Sequence, residues 1–174
     1  RLDTQLYINP ITYSVTDDDT RRLTKPDRAP GFALSFNSCR PYSAGSVYIK
    51  SADAAMPPAI HANYLDDQRD INDVLRMARF IGRMQNSPSV QKLLAAPPET
   101  NLLALSDNEI IDDFRARSGT VFHPCGTCRM GPDRRHSVVD PQLRVHGVGK
   151  LRVADAAIFP NITSANTNAP TIMI

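Results

Sequence analysis

At 174 residues and 41% hydrophobic content, the chain has room and apolar material for one domain of ordinary size, or one and a small part. Its net charge of +2 comes from mixed charges without a basic stripe, which excludes a nucleic-acid or membrane-surface footprint. No apolar run approaches a membrane span, no signal-peptide pattern is seen, and three cysteines are too few for a disulfide framework, so reduced thiols in a cytoplasmic setting are expected. The first residue is Arg1 rather than Met, and the last residues stop inside the apolar run PTIMI. That predicts a piece of a larger protein.

Taken in order, Leu6–Ile8 and Ile11–Val15 are expected as edge strands around Asn9-Pro10, because proline removes a ladder donor. Thr16–Pro30 is polar, charged and proline-bearing, the composition of an exposed loop. In Phe32–Ser38 the residues Phe32, Leu34 and Phe36 alternate with Ala33, Ser35 and Asn37, a strand pattern with two unlike faces. The apolar face is expected to pack on the following helix and the more polar face to look toward a substrate cavity. Ser46–Ser51 reads as a second strand, hairpinned to the first through Arg40–Gly45, and Ala59–Leu65 as a third short one.

Helical periodicity is clearest over Asp67–Asn86. Ile71, Val74, Leu75, Met77, Ala78, Ile81 and Met84 fall mostly at three- and four-residue steps, with Asp66 or Asp67 as the cap and Ser87-Pro88 as the stop. A short second helix is expected within Asn86–Ala96 and a third over Ser106–Ser118. There Ser106 precedes Glu109 by the three residues of a capping box. The first two-thirds thus predict an α+β layout, an antiparallel sheet with flanking helices. The last third differs. Leu151–Val153 reads as a strand that needs a partner from another chain or an upstream segment. A loop rich in proline and asparagine follows it, and then a helix start, the arrangement found where the carboxyl edge of a sheet binds a cofactor.

Chemistry concentrates in HPCGTCRMG, His123–Gly131. Pro124 keeps His123 out of the helical region, and Gly126 permits a tight turn. An imidazole held this way can take a proton near neutral pH, although on spacing alone a structural histidine is the plainer reading. His123, Cys125 and Cys128 also have the shape of a metal half-site. Structural zinc wants four ligands, however, and His136 and His146 are the only later imidazoles. Cys125 and Cys128 have the C-x-x-C spacing of a redox pair without the thioredoxin-like strand and helix around it; two half-buried thiols are the plainer reading. Asn161, Asn166 and Asn168 fit turn and cap chemistry, or an amide donating to a substrate oxygen. Gly147 and Gly149 fit a turn and do not form a dinucleotide fingerprint.

HPCGTCRMG, then SVVDPQLRVHGVGKLRVADAAIFP, then ANTNAPTIMI resembles, in that order, the C-terminal end of the glucose–methanol–choline oxidoreductases. The likeness spans Val121–Ile174. It is weaker over Arg40–Ser51 and Pro58–Asp70, which are similar to that family's substrate-domain sheet and the approach to its long helix. The resemblance implies an α+β substrate-binding domain over residues 1–137, including the histidine segment. It implies that 138–174 is the C-terminal part of a Rossmann-like α/β FAD-binding domain whose glycine fingerprint is not in this chain.

By the same resemblance, His123 matches the active-site histidine and Asn168 the second catalytic position. Asp155 and Ala156 match the segment past the cofactor diphosphate, and Asn168, Ala169, Pro170 and Thr171 the helix start near the flavin ring. The implied reaction is FAD-dependent oxidation of an alcohol to an aldehyde or ketone. His123 is its general base, hydride goes to flavin N5, and the FAD-binding part is supplied upstream or by another chain. Two other outcomes stand beside it: a flavin-containing lyase of the same family, and a non-catalytic fragment without cofactor. The resemblance implies a small-molecule alcohol as substrate, and the shortage of ligands around His123, Cys125 and Cys128 predicts no bound metal.

Overall fold

The computed structural model describes residues 4–15 and 23–174. It falls into two compact units. Of the described residues, one gathers 4–5, Cys39–Asp66 and Val121–Ile174; the other gathers 6–15, 23–38 and Asp67–Thr120.

The second unit is built around two helices. Helix α1, Gln68–Gln85, starts where expected. The Asp67 carboxylate accepts from the backbone N–H of Arg69 at 2.9 Å, satisfying one of the donors a helix start leaves open. The Arg69 side chain bonds the same carboxylate, and Asp67 is held down at about 2, first by that side chain and then by the backbone bond. Val74, Ala78 and Ile81 form the buried stripe, one face of a 3.6-residue period. They pack toward α3, Asp107–Arg117, whose buried residues are Ile110 and Ile111. Its start is the reciprocal box: Ser106 Oγ accepts from Glu109 N, and the Glu109 carboxylate accepts from Ser106 N at 2.7 Å. Arg79 reaches across to the carbonyl of Leu102 and the carboxylate of Asp107, each at 2.9 Å, and ties the interior of α1 to the start of α3.

Between them, α2 is only Pro88–Gln91, shorter than the expected helix. Ser87 caps it and Pro88 opens it, but it buries no residue, and a helix that short has nothing to sustain it beyond its cap.

Strand β1, Thr4–Asn9, pairs with β4, Ala33–Ser38, and Asn9 Nδ2 donates to Ser35 Oγ at 3.1 Å. The Phe36 ring meets Phe114 of α3 with centroids 5.6 Å apart, and β4 also packs on α1. Strand β2, Tyr13–Val15, lies within the expected strand Ile11–Val15 and pairs antiparallel with β3, Leu23–Pro26, which lies inside the stretch expected to be loop. A two-stranded ribbon needs backbone pairing but no apolar alternation, and its last residue tolerates proline. Residues 16–22 of that expected loop lie outside the described residues.

The expected hairpin between β4 and Ser46–Ser51 does not form. Strand β5, Ser46–Tyr48, pairs instead with β6, Ala59–His61, in the register Ser46↔His61, Val47↔Ile60, Tyr48↔Ala59. The link Arg40–Gly45 is too long and irregular to act as a hairpin turn. Gly45 locks the true pairing, since a Cβ there would sit 2.3 Å from the carbonyl oxygen of His61. The architecture is α+β, with antiparallel pairs and flanking helices, but the strands form three two-stranded sheets among the described residues.

Candidate active site

From Val121 onward, single bridges and turns replace regular strands, and one small core holds them. Val139, Ile158 and Phe159 are buried, with Cys125, Met130, Leu143, Val145, Val153 and Ala156 packed around them. Three backbone bonds close the His123 loop onto this core. Cys128 N donates to Ala157 O at 3.0 Å, Met130 N to Ile158 O at 2.8 Å, and Gly131 N to Val139 O at 2.9 Å. Gly126 turns the loop at φ +87°, a conformation that calls for glycine, and an added Cβ would stand a tight 3.3 Å from Phe159 O.

Leu151–Val153 finds its partner within the chain, contrary to expectation. Arg152 bridges Arg144 antiparallel, Val145 N donates to Leu151 O, and Val153 N to Leu143 O. The turn before it is set by Asp140, which accepts from Gln142 N and Arg144 N and also from the Arg144 side chain. Desolvation pushes the Asp140 carboxyl up, but those bonds outweigh it and hold it below the usual carboxylate range.

His123 is half-buried between Phe122, at φ +58° and 70% exposed, and Pro124. A bulky residue in the left-handed region is strained and persists only where the surroundings impose it. Next to this loop, Asp155 Oδ1 accepts from Ala157 N at 2.7 Å and caps a single 3₁₀ turn, Ala156–Ile158. That turn packs against α4, Asn168–Met173. The residue before α4 is Thr167, a buried polar side chain at 5% exposure. Its Oγ1 lies 3.0 Å from His123 Nδ1. Its backbone carbonyl accepts from Thr171 N at 3.0 Å and from Thr171 Oγ1 at 2.6 Å.

The fold therefore brings the His123 loop and the start of α4 together. Asn168 and Ala169 are exposed at that helix start, and Pro170 and Thr171 are half-buried behind them. Asp155 and Ala156 sit on the neighbouring turn, with the Asp155 carboxylate committed to Ala157 N. Asn161 and Asn166 are exposed in the intervening loop. Thr167 is the residue that sequence reasoning missed. Its place before a helix start was a visible cap signal, yet its hydroxyl does not cap α4.

The cysteines and the imidazole of His146 have their own surroundings. All three cysteines are free thiols. Burial pushes the Cys125 thiol up, with Arg129 only partly opposing. His146 belongs to the scaffold: Nε2 lies 3.1 Å from Ser137 Oγ and 3.2 Å from Gly131 O. Among the described residues no group of three His, Cys, Asp or Glu side chains is placed to hold a metal ion, and no helix is long and apolar enough to cross a membrane.

The sequence model of the GMC oxidoreductases matches residues 41–174, and the chain belongs to that family. It is 42% identical over 144 residues to an alcohol dehydrogenase [acceptor] of Pseudomonas putida, covering 83% of this chain and 26% of that protein. It is 40% identical over 144 residues to an oxygen-dependent choline dehydrogenase of Klebsiella pneumoniae, with the same two coverages. A formate oxidase of Aspergillus oryzae studied for FAD modification superposes with a TM-score of 0.73 at 32% identity, covering 83% of this chain and 26% of that one. The chain thus spans about a quarter of the length of the curated relatives it matches.

Proposed function

We propose that this chain supplies the substrate-facing catalytic residues of an FAD-dependent enzyme that oxidises an alcohol to an aldehyde or ketone. The single observation that carries the reading is the bond between His123 Nδ1 and Thr167 Oγ1, which holds the imidazole beside the start of α4 and Asn168. In this reading residues 1–137 belong to the substrate-binding domain. Residues 138–174 belong to a Rossmann-like FAD-binding domain completed by further residues, upstream or in another chain. A cytoplasmic setting is in keeping with three free thiols.

The residues present fit a flavin. No side chain caps the first turn of α4, and Asn168 and Ala169 are exposed there, so the backbone donors of that turn keep no side-chain partner. Asn168, Ala169, Pro170 and Thr171 would lie along its ring, and Asp155 and Ala156 along its diphosphate. When bound, FAD supplies the hydride acceptor.

The chain's own groups do the rest. His123 takes the proton from the substrate hydroxyl through Nε2, the nitrogen not used by Thr167. The Asn168 amide donates to the same oxygen without competing for its proton. General-base help of this kind is worth roughly 10²- to 10⁴-fold. The test is anaerobic addition of primary and secondary alcohols to the purified holoenzyme. The flavin absorbance should bleach as carbonyl product forms in equal amount. A holoenzyme whose flavin stays oxidised with every alcohol tried, or one that carries no FAD, contradicts the reading.

A further inference from the structure

We propose that Thr167 is a positioning residue that sets the tautomer of His123: Oγ1 accepts the hydrogen bond from Nδ1–H, which keeps the lone pair on Nε2. The inference rests on the reading of His123 as a base, and it names the residue that makes this histidine competent.

Three observations lead there. First, Thr167 is 5% exposed, and a buried hydroxyl needs partners. His123 Nδ1, at 3.0 Å, is one. Second, threonine in the position before a helix ordinarily turns its oxygen to the N–H groups of the first turn. Here it makes no such bond, and its oxygen is on the imidazole instead. Third, the oxygen is fixed in place. Threonine is stiff at χ1, and its carbonyl is tied to Thr171 by both the backbone N–H and the side-chain hydroxyl.

A neutral imidazole carries one N–H and one lone pair. The contact uses Nδ1, so the direction of this one bond decides the chemistry. If Nδ1–H donates, Nε2 is basic and can take a proton. If the threonine hydroxyl donates, Nε2 carries the hydrogen and His123 can only donate to the substrate. A base role therefore requires the first arrangement.

The test is nitrogen NMR on histidine-labelled holoenzyme, with the His123 signals identified by their loss in His123→Gln, followed by Thr167 variants. The unsubstituted protein should show His123 protonated at Nδ1 and bare at Nε2. Thr167→Val keeps the shape and removes the oxygen. It should give a mixture of tautomers and slow flavin reduction by roughly 10- to 10²-fold, the scale known for metal-bound histidines that lose their orienting partner. FAD content and KM should stay near their starting values. Thr167→Ser retains the oxygen and should restore both the spectrum and most of the rate. A proton on Nε2 in the unsubstituted protein overturns the proposal, as does an unchanged His123 spectrum in Thr167→Val. Should Thr167→Val fail to fold, the spectra of the unsubstituted protein and of Thr167→Ser decide the matter. The base reading fails separately, if His123→Ala reduces flavin at the original rate while the spectra still show Nδ1–H.

Discussion

Thr167 Oγ1 stands 3.0 Å from His123 Nδ1, although 44 positions separate the two residues in sequence. Neither belongs to an element that would deliver it there alone. His123 sits in a loop without regular structure, and Thr167 ends another. What joins them is the core of Val139, Ile158 and Phe159, onto which the histidine loop closes through Cys128 N and Met130 N.

That core gives the first prediction. Ile158 is 2% exposed and packs at the junction, so Ile158→Ala should cost about 2–5 kcal/mol. Urea unfolding of the holoenzyme should show a lower midpoint at unchanged slope. A midpoint within error of the original would mean that this cluster does not hold the site.

The second concerns Ser106. Its hydroxyl takes the Glu109 N–H and donates to the Glu109 carboxylate, so Ser106→Ala should cost roughly 0.5–2 kcal/mol, while Ser106→Thr should cost much less because its hydroxyl can still make both bonds. Thermal unfolding of the two variants checks the order. Equal losses would show that the box adds nothing to α3.

Such caps explain why the helices were legible. The bounds of α1 and α3 are set by Asp67, Ser87-Pro88, Ser106 and Glu109, all within a few residues of what they terminate. Strand partners are not local in this sense. Nothing in Ser46–Tyr48 names Ala59–His61 rather than Ala33–Ser38, and the choice is made by tertiary fit at Gly45. The same holds at the site. His123 and Asn168 stood out through motif resemblance, whereas Thr167 looked like an ordinary cap until the fold turned its oxygen toward an imidazole from far upstream.

The third prediction is a pH dependence. Asp67 is lowered from an ordinary 3.8 to about 2 by its bonds with Arg69. A carboxyl depressed in the folded state binds fewer protons there than in the unfolded chain. Its contribution is full above the unfolded value and lost as pH falls from about 4 toward 2. Asp67→Asn should flatten the acid limb of stability in that window and leave the slope near neutral pH unchanged. An identical acid limb in the variant would contradict the assignment.

The fourth concerns Cys125. Burial raises its thiol, so at pH 8 it should react with a disulfide reagent more slowly than an unhindered thiol. Comparing labelling of the native protein with that of Cys125→Ala isolates its share. Fast modification of Cys125 at neutral pH would reopen a reactive role for the C-x-x-C segment.

The most direct measurement is anaerobic stopped-flow reduction of the flavin in the holoenzyme, with alcohol in excess. His123→Ala should slow the step by roughly 10²-fold or more with FAD still bound, because it removes the base. Asn168→Ala removes one neutral hydrogen bond of about 0.5–1.5 kcal/mol and should slow the step by roughly 10-fold or less. That order, with the histidine costing far more than the asparagine, is the account's prediction. An unchanged rate in His123→Ala, with flavin content intact, would contradict it.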